Sequence, residues 1–102
     1  MANLTQTPTT LLSALSVLGN KNSVKIGNNT KLEKSGANVI ATLHGHTIVE
    51  YTEDATLATW AGYATSTTRD RLNQLTNGRF NIKGGVPHLN GEPVSAYGYY
   101  EV

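Results

Sequence analysis

The apolar residues near the start of the chain recur at the spacing of one helix face. Four leucines between Leu11 and Leu18 follow this spacing, and they predict a helix over about residues 8–18. Pro8 suits the first turn of such a helix, with Thr7 as the cap before it.

From residue 23 onwards the pattern changes to short alternating runs separated by Gly and Asn. Such runs predict an antiparallel β-meander, with turns at 27–29, 35–36 and 52–54. Gly45 interrupts one of the runs and predicts a bulge or a close approach of another backbone. The predicted strands cover residues 23–26, 30–34, 38–44, 47–51 and 55–60.

A second helix is predicted over about residues 67–76. Leu72 and Leu75 share one stripe with Thr68, and either Thr67 or Thr68 can cap the helix. The Asn-Gly pair at 77–78 then ends it.

The C-terminal part returns to strands. Asn90-Gly91 suits a type I′ turn and predicts a hairpin, which Pro87 and Pro93 restrict to an edge or an irregular position. A last strand is predicted over residues 97–102.

These elements predict an α+β fold: a mostly antiparallel β-meander sheet with an N-terminal helix and one short helix. The 102 residues suit a single domain, 1–102, with residues 1–7 as a frayed start. The 14 threonines and 10 asparagines favour strands and tight turns over a helical bundle.

Composition narrows the function mainly by exclusion. Charged residues make up 15% of the chain and the formal net charge is +1, so no strong electrostatic attraction to nucleic acid is expected. The absence of cysteine excludes disulfides and thiolate metal sites. No apolar run approaches the ~20 residues of a membrane span, so we expect no membrane partner.

Two histidines, His44 and His46, are spaced to share one face of a strand and could bind zinc or copper. A third ligand is needed, and only His88 or Glu50 offers one. The alternative is a β-bulge whose histidines bond to the backbone. We therefore predict no metal.

The carboxylates do not form a catalytic cluster in the sequence, and most are expected to be solvated. There is also no Gly-rich phosphate loop, because Gly84-Gly85 lacks the lysine and the helix of one. We predict no enzymatic activity and no cofactor. The acidic residues are Glu33, Glu50, Glu53, Asp54, Asp70, Glu92 and Glu101.

The start of the second helix is the best candidate for a binding site. Its free N–H groups and positive dipole favour an anion, and Thr67, Thr68, Arg69 and Arg71 lie beside them. The alternative is a capped surface helix with solvated arginines. If the site is real, replacing both arginines with Ala is expected to abolish binding with little change in melting temperature.

Two tyrosines complete the predicted binding set. Tyrosine offers a large contact area at low entropic cost, and we expect Tyr63 and Tyr99 to contribute to binding. The core is expected to use most of the other aromatic residues. Stacking of bases on exposed tyrosines is an alternative, but no recognisable RNA-binding motif supports it.

An ordered set of motifs resembles a group of short phage proteins. The set covers about residues 26–102. The sequence differs from the family pattern in three places: His46 is an additional residue, Ala58-Thr59 replaces two glycines before Trp60, and Arg69 replaces a lysine. The resemblance implies a phage or prophage origin and brings no activity with it. The motifs are Gly27-Asn28-Asn29-Thr30, Leu43-His44-Gly45 followed by Ile48-Val49, then Trp60, then Thr67-Thr68-Arg69-Asp70-Arg71-Leu72-Asn73.

The leading hypothesis is a phage accessory protein in the host cell cytoplasm that binds a host protein without catalysis. An inhibitor of a host defence system or enzyme is its most concrete form. The alternatives are a nucleic-acid-binding module that uses Arg69, Arg71, Arg79 and Lys83, and a binder of a small nucleotide at the start of the second helix. A metal-dependent enzyme at the two histidines ranks last.

Overall fold

The computed structural model describes residues 4–102 and confirms the predicted α+β fold. Its helices are α1 (Leu11–Leu18) and α2 (Ser66–Leu75). Its strands are β1 (Ser23–Gly27), β2 (Thr30–Ser35), β3 (Asn38–Leu43), β4 (His46–Tyr51), β5 (Thr56–Ala58), β6 (Phe80–Lys83), β7 (Val86–Leu89), β8 (Glu92–Pro93) and β9 (Tyr100–Glu101).

The strands form two antiparallel sheets. The large sheet has the order β1-β2-β3-β4-β5-β9, so the predicted meander is extended at its far edge by the C-terminal strand. The small sheet has the order β6-β7-β8. Tight turns between β1, β2 and β3 use Asn29 and Gly36, whose φ angles of 55° and 63° suit Asn and Gly.

The interruption at Gly45 is a hairpin turn, and the predicted bulge or close approach at this residue is wrong. His44 and Gly45 have φ angles of 52° and 81°, the pair of positive values that a type I′ turn requires. For the same reason β3 ends at Leu43, one residue earlier than predicted.

A β-bulge does occur, further along β4. Ala41 pairs with Val49 while Thr42 pairs with Thr47, so Ile48 is the additional residue on this strand. Because the additional residue breaks the two-residue alternation, Ile48 and Val49 are both buried. The bulge therefore turns Ile48 away from the position that simple alternation predicts.

The first helix begins later than predicted and uses a different cap. Thr10 Oγ1 accepts from the amide of Ser13 at 3.2 Å, and Ser13 Oγ accepts from the amide of Thr10 at 3.0 Å. This reciprocal pair of bonds fixes the start after Thr10, not after Thr7. Pro8 is buried before the helix, and its carbonyl accepts from the phenol of Tyr51 at 2.9 Å.

The predicted frayed start covers residues 1–7, of which residues 1–3 lie outside the described part of the chain. Leu4 is buried, and its amide donates to Gln74 Oε1 at 3.1 Å. The amide of Thr5 donates to the carbonyl of Ile26 at 2.8 Å. Residues 4 and 5 are thus attached to α2 and β1.

The last strand is shorter than predicted: in the described part of the chain it pairs with β5 at two positions, Leu57 opposite Glu101 and Ala58 opposite Tyr100. Residues 94–99 form a loop instead, and the amide of Gly62 donates to the carbonyl of Ala96 at 2.8 Å.

One core joins both sheets and both helices. The helix α1 lies against β1, β2 and β3, and α2 lies against β4 and β6. Trp60 contacts Phe80 of the small sheet edge-to-face, with ring centroids 5.8 Å apart. Within residues 4–102, neither helix has the length and apolar character that crossing a membrane requires.

Candidate functional site

Two turns of the large sheet and the start of α2 meet at one end of the molecule. The β1–β2 and β3–β4 turns share this end because consecutive strands are antiparallel. The amide of His44 donates to the carbonyl of Asn29 at 2.8 Å, which fixes one turn against the other. β5 runs back towards the same end, so Trp60 and then α2 follow there.

Arg71 connects α2 to the β1–β2 turn. Its side chain is buried, and Nε donates to Thr30 Oγ1 at 3.0 Å. The Thr30 hydroxyl donates in turn to the carbonyl of Asn28 at 2.9 Å. The phage-like segments at 27–30 and 67–73 are therefore joined inside the fold, and Arg71 is not solvated as the alternative interpretation assumed.

The start of α2 differs from the prediction by the identity of its cap. Thr65 is the N-cap, because its Oγ1 accepts from the amide of Thr68 at 3.3 Å, so neither Thr67 nor Thr68 caps the helix. The hydroxyls of Thr65 and Thr68 are 3.1 Å apart. The amides of Ser66 and Thr67 are those that a helix start leaves without an acceptor inside the helix.

A cavity of about 400 Å³ lies between the β3–β4 turn and the start of α2. Its floor is buried and mostly apolar, and its rim carries imidazole, phenol and hydroxyl groups. Among residues 4–102, no carboxylate, lysine or arginine lines it. The floor is formed by Leu43, Ile48, Trp60 and Thr68, and the rim by His44, His46, Ala61, Tyr63, Thr65 and Thr67.

The most exposed part of the rim is the pair formed by His46 and Tyr63. Their ring centroids are 5.1 Å apart, and Tyr63 Oη lies 3.4 Å from His46 Nε2. Tyr63 remains 49% exposed. An aromatic surface therefore stands at the mouth of the cavity and is open to a partner.

Trp60 has an unusual position in the cavity floor. Its side chain is fully buried, and its Nε1 is, among the residues that the structure describes, the one buried side-chain nitrogen or oxygen without a hydrogen-bond partner. Burying an unpaired donor costs about 1–3 kcal/mol. Buried polar groups without a partner are few in native structures, so each one calls for an explanation.

The six predicted binding residues are placed at different depths and distances. Tyr63, Thr67 and Thr68 line the cavity, so the structure brings half of the set together. Arg69 follows Thr68 in the helix and is half-buried, and its Nε donates to Asp70 Oδ1 at 3.0 Å. Their roles in binding stay predictions.

The other two members of the set lie outside the cavity. Arg71 belongs to the interior, as described above, and Tyr99 is 56% exposed on the loop before β9.

The sequence did not predict that His46 and Tyr63 form a pair. The signal was present, because His46 and Tyr63 each follow directly after a glycine at a chain reversal, Gly45 and Gly62. Only the topology shows that these two reversals share one end of the sheet.

The proposed metal ligands do not come together. His44 belongs to a turn and His46 begins β4, so the assumption that they share one strand face is wrong. Glu50 accepts from Asn38 Nδ2 at 3.2 Å, and His88 lies on the small sheet. Over residues 4–102 there is no group of three or more His, Cys, Asp or Glu side chains that could hold a metal ion.

The fold and this site define a small α+β protein whose strands and loops enclose a cavity with an aromatic rim. A family model for the Kyanoviridae Gp96 protein matches residues 11–98. The chain therefore belongs to the Kyanoviridae Gp96 family, and the implied phage origin is confirmed at this level. The match includes α1, whereas the motifs that resemble the phage family cover only about residues 26–102. Comparisons with curated proteins and with solved structures gave no match.

Proposed function

We propose that this phage protein binds a host protein in the host cell cytoplasm, without catalysis. The host protein belongs to a defence system or is an enzyme, and the phage protein inhibits it. The observation that supports this most is the exposed tyrosine surface at the mouth of the cavity. We call His46, Tyr63 and Tyr97 the tyrosine rim.

The tyrosine rim is continuous because Tyr97 lies over the turn that carries Tyr63. A Cβ placed on Gly62 would be 2.8 Å from Tyr97 Cε1, so the ring covers this glycine closely. Tyr97 is itself 81% exposed. The three side chains thus present aromatic area from three separate segments of the chain.

This arrangement matches what dominates binding energy at protein interfaces. Tyrosine is enriched among the few residues whose truncation costs 2 kcal/mol or more, and such residues cluster at well-packed, desolvated pockets of the interface. The apolar floor of Leu43, Ile48 and Trp60 would receive an apolar side chain of the partner. A carboxylate of the same partner would be stabilised by the start of α2 and by Arg69.

A small anionic ligand, such as a nucleotide, is the second candidate occupant of the cavity. Its volume of about 400 Å³ lies within the roughly 300–1,000 Å³ of small-molecule sites. The amides at the start of α2 favour a ligand with acceptor atoms. Here the aromatic pair would stack on a planar ring.

The test is capture from host lysate on the immobilised protein, with and without nuclease, followed by affinity measurements with each purified candidate. Tyr63→Ala is expected to weaken binding more than tenfold, which corresponds to about 1.4 kcal/mol. Arg69→Ala is expected to weaken it less, because Arg69 is paired with Asp70 and half-buried.

The matched control is Leu12→Ala, since Leu12 is 81% exposed on α1 and lies outside the cavity. Equal affinities for Tyr63→Ala, Leu12→Ala and the parent would refute the tyrosine rim as the binding surface. If heat releases a small ultraviolet-absorbing molecule from protein made in host cells, and Tyr63→Ala abolishes its retention, the second candidate is correct.

A further inference from the structure

The small sheet presents one face that is polar and basic. Asn81 pairs with His88 and Lys83 pairs with Val86, so these four side chains share a face. Phe80, one residue before Asn81, lies on the opposite face, where it is buried in the core. Alternation along the two strands therefore separates an inner apolar face from an outer polar one.

The outer face continues beyond the strand ends. It surrounds a shallow depression of about 450 Å³ whose lining has two basic side chains, one imidazole and three amides, and no carboxylate. We call this surface the basic face. It consists of Asn77, Arg79, Asn81, Lys83, His88 and Asn90.

The acidic residues are placed elsewhere in the fold. Glu92 is the nearest along the chain, and its pairing with Leu89 puts it on the opposite side of the small sheet from His88. Glu101 is on β9, and the other acidic residues belong to β2, β4, the turn after β4 and α2. A chain with a net charge of only +1 thus gathers positive charge on one face.

The end of the small sheet is a two-stranded ribbon. β8 pairs with His88 and Leu89, and the amide of Val94 donates to the carbonyl of Pro87 at 3.0 Å, so the part where just β6 and β7 are present is the tip formed by Lys83 and Val86. The connecting turn is Gly84-Gly85, which adds no side-chain bulk at the tip. A two-stranded ribbon is one of the elements that the major groove of duplex DNA admits.

We infer that the basic face is a second binding surface, for duplex DNA, and that the β6–β7 ribbon enters the major groove. Arg79 and Lys83 contact phosphates or guanine edges, and Asn81, whose Oδ1 accepts from the amide of Ile82 at 2.9 Å, donates from Nδ2 to an acceptor on a base edge. Most protein interfaces depend on apolar anchors, and within residues 4–102 Val86, opposite Lys83, is the one large apolar side chain exposed beside the basic face. This surface is separate from the tyrosine rim, and its role does not depend on the proposed function.

The test is fluorescence anisotropy with the full chain and a labelled duplex of mixed sequence, titrated at several salt concentrations. The parent should bind, with log K falling linearly in log salt concentration. Lys83→Ala should reduce the size of that slope by about one. Asn81→Ala should change the preference between sequences while leaving the slope unchanged.

The decisive comparison is between two charge reversals. Arg79→Glu with Lys83→Glu, and Lys21→Glu with Lys34→Glu, each replace two positive charges with two negative ones and take the net charge from +1 to −3. The basic-face pair should lose more than tenfold in affinity, whereas the control pair, on exposed lysines of the large-sheet region, should lose much less. Circular dichroism verifies that both variants fold.

Four outcomes would overturn the inference, three from DNA binding itself and one from protein binding. The first is a parent that shows no salt-dependent binding, and the second is an equal loss in both charge reversals. The third is equally effective competition by single-stranded DNA, because a ribbon that fits the major groove requires a duplex. If the basic-face reversal instead removes binding of the captured host protein, this face belongs to a protein interface and the DNA assignment is wrong.

Discussion

The two sheets differ in how much of their side-chain surface is buried. Ile26, Leu32, Val39 and Val49 of the large sheet are fully buried, and they occupy four successive strands. In the small sheet only Phe80 is buried to a similar extent, at 2% exposure. The large sheet therefore supplies most of the hydrophobic stabilisation, which is roughly proportional to apolar area removed from water.

The small sheet depends on attachments to the rest of the molecule. Sheets of two or three short strands are marginal unless they pack against something else. Phe80 provides this through its contact with Trp60, and its backbone amide and carbonyl both bond to the Asn73 side chain, at 2.6 and 2.9 Å. Because folding constrains only the inner face, the outer face is free to carry the side chains that binding requires.

The largest effect is expected where the two sheets meet. Trp60→Ala removes the contact with Phe80 and opens the cavity floor, and large-to-small changes of this kind cost about 3–5 kcal/mol. Urea denaturation followed by circular dichroism measures the loss, because Trp60 is the only tryptophan and its fluorescence disappears with it. Trp60→Phe should lose clearly less, since it keeps an aromatic ring and removes the unpaired donor.

The matched control for this prediction is Val86→Ala, on the outer face of the small sheet. Val86 is 44% exposed, and surface changes normally stay within about 0.5 kcal/mol. Equal destabilisation by Trp60→Ala and Val86→Ala would mean that the junction between the sheets is not where the stability lies.

A smaller and local effect is expected from Asn73→Ala. The change removes both hydrogen bonds to the backbone of Phe80, at a cost of about 1–3 kcal/mol for partly buried groups left unpaired. Amide hydrogen exchange should accelerate over residues 80–89 and stay near the parental rate in β2 and β3.

Asn22→Ala is the control for Asn73→Ala, because Asn22 is an exposed asparagine before β1. If exchange in the large sheet accelerates as much as in the small sheet, the two sheets unfold as one unit and the comparison between them fails.

The sequence predicted the large sheet well because its signals are local. Alternation placed Val39, Ala41 and Leu43 on one face, and all three are buried. Gly and Asn marked the turns, since these residues accept positive φ angles. The Asn90-Gly91 hairpin also forms, with φ angles of 52° and 88°.

The errors arose where local signals compete or where long-range contacts decide. Several threonines can each cap a helix, and only the tertiary structure selects Thr10 and Thr65. The bulge at Ile48 adds one residue to β4, and the sequence has one residue, His46, that the family pattern lacks. The position of the bulge could not be predicted, because a bulge has no unique sequence pattern. Arg71 is buried where its Nε bonds to Thr30, a residue 41 positions away along the chain, so no local pattern predicts this burial.

Tyr51 shows how one polar atom connects the large sheet to both helical regions. Its Oη lies 2.9 Å from the carbonyl of Pro8, before α1, and 2.8 Å from the carbonyl of Leu75, at the end of α2. The side chain is fully buried. Burial disfavours the phenolate and raises the pKa of Tyr51 well above its ordinary value.

At neutral pH, Tyr51→Phe is expected to cost about 1–3 kcal/mol, because it leaves the carbonyls of Pro8 and Leu75 without this buried donor. Its signature lies at high pH. The folded state holds the phenol proton more tightly than the unfolded state, so this contribution is complete below pH ~10 and is lost as the pH rises further. The parent should lose up to about 1.4 kcal/mol per pH unit from this group, and Tyr51→Phe should not. Urea denaturation at neutral pH and above pH ~10 measures the difference; parallel pH profiles for the two proteins would show that the Tyr51 phenol ionises freely in the fold.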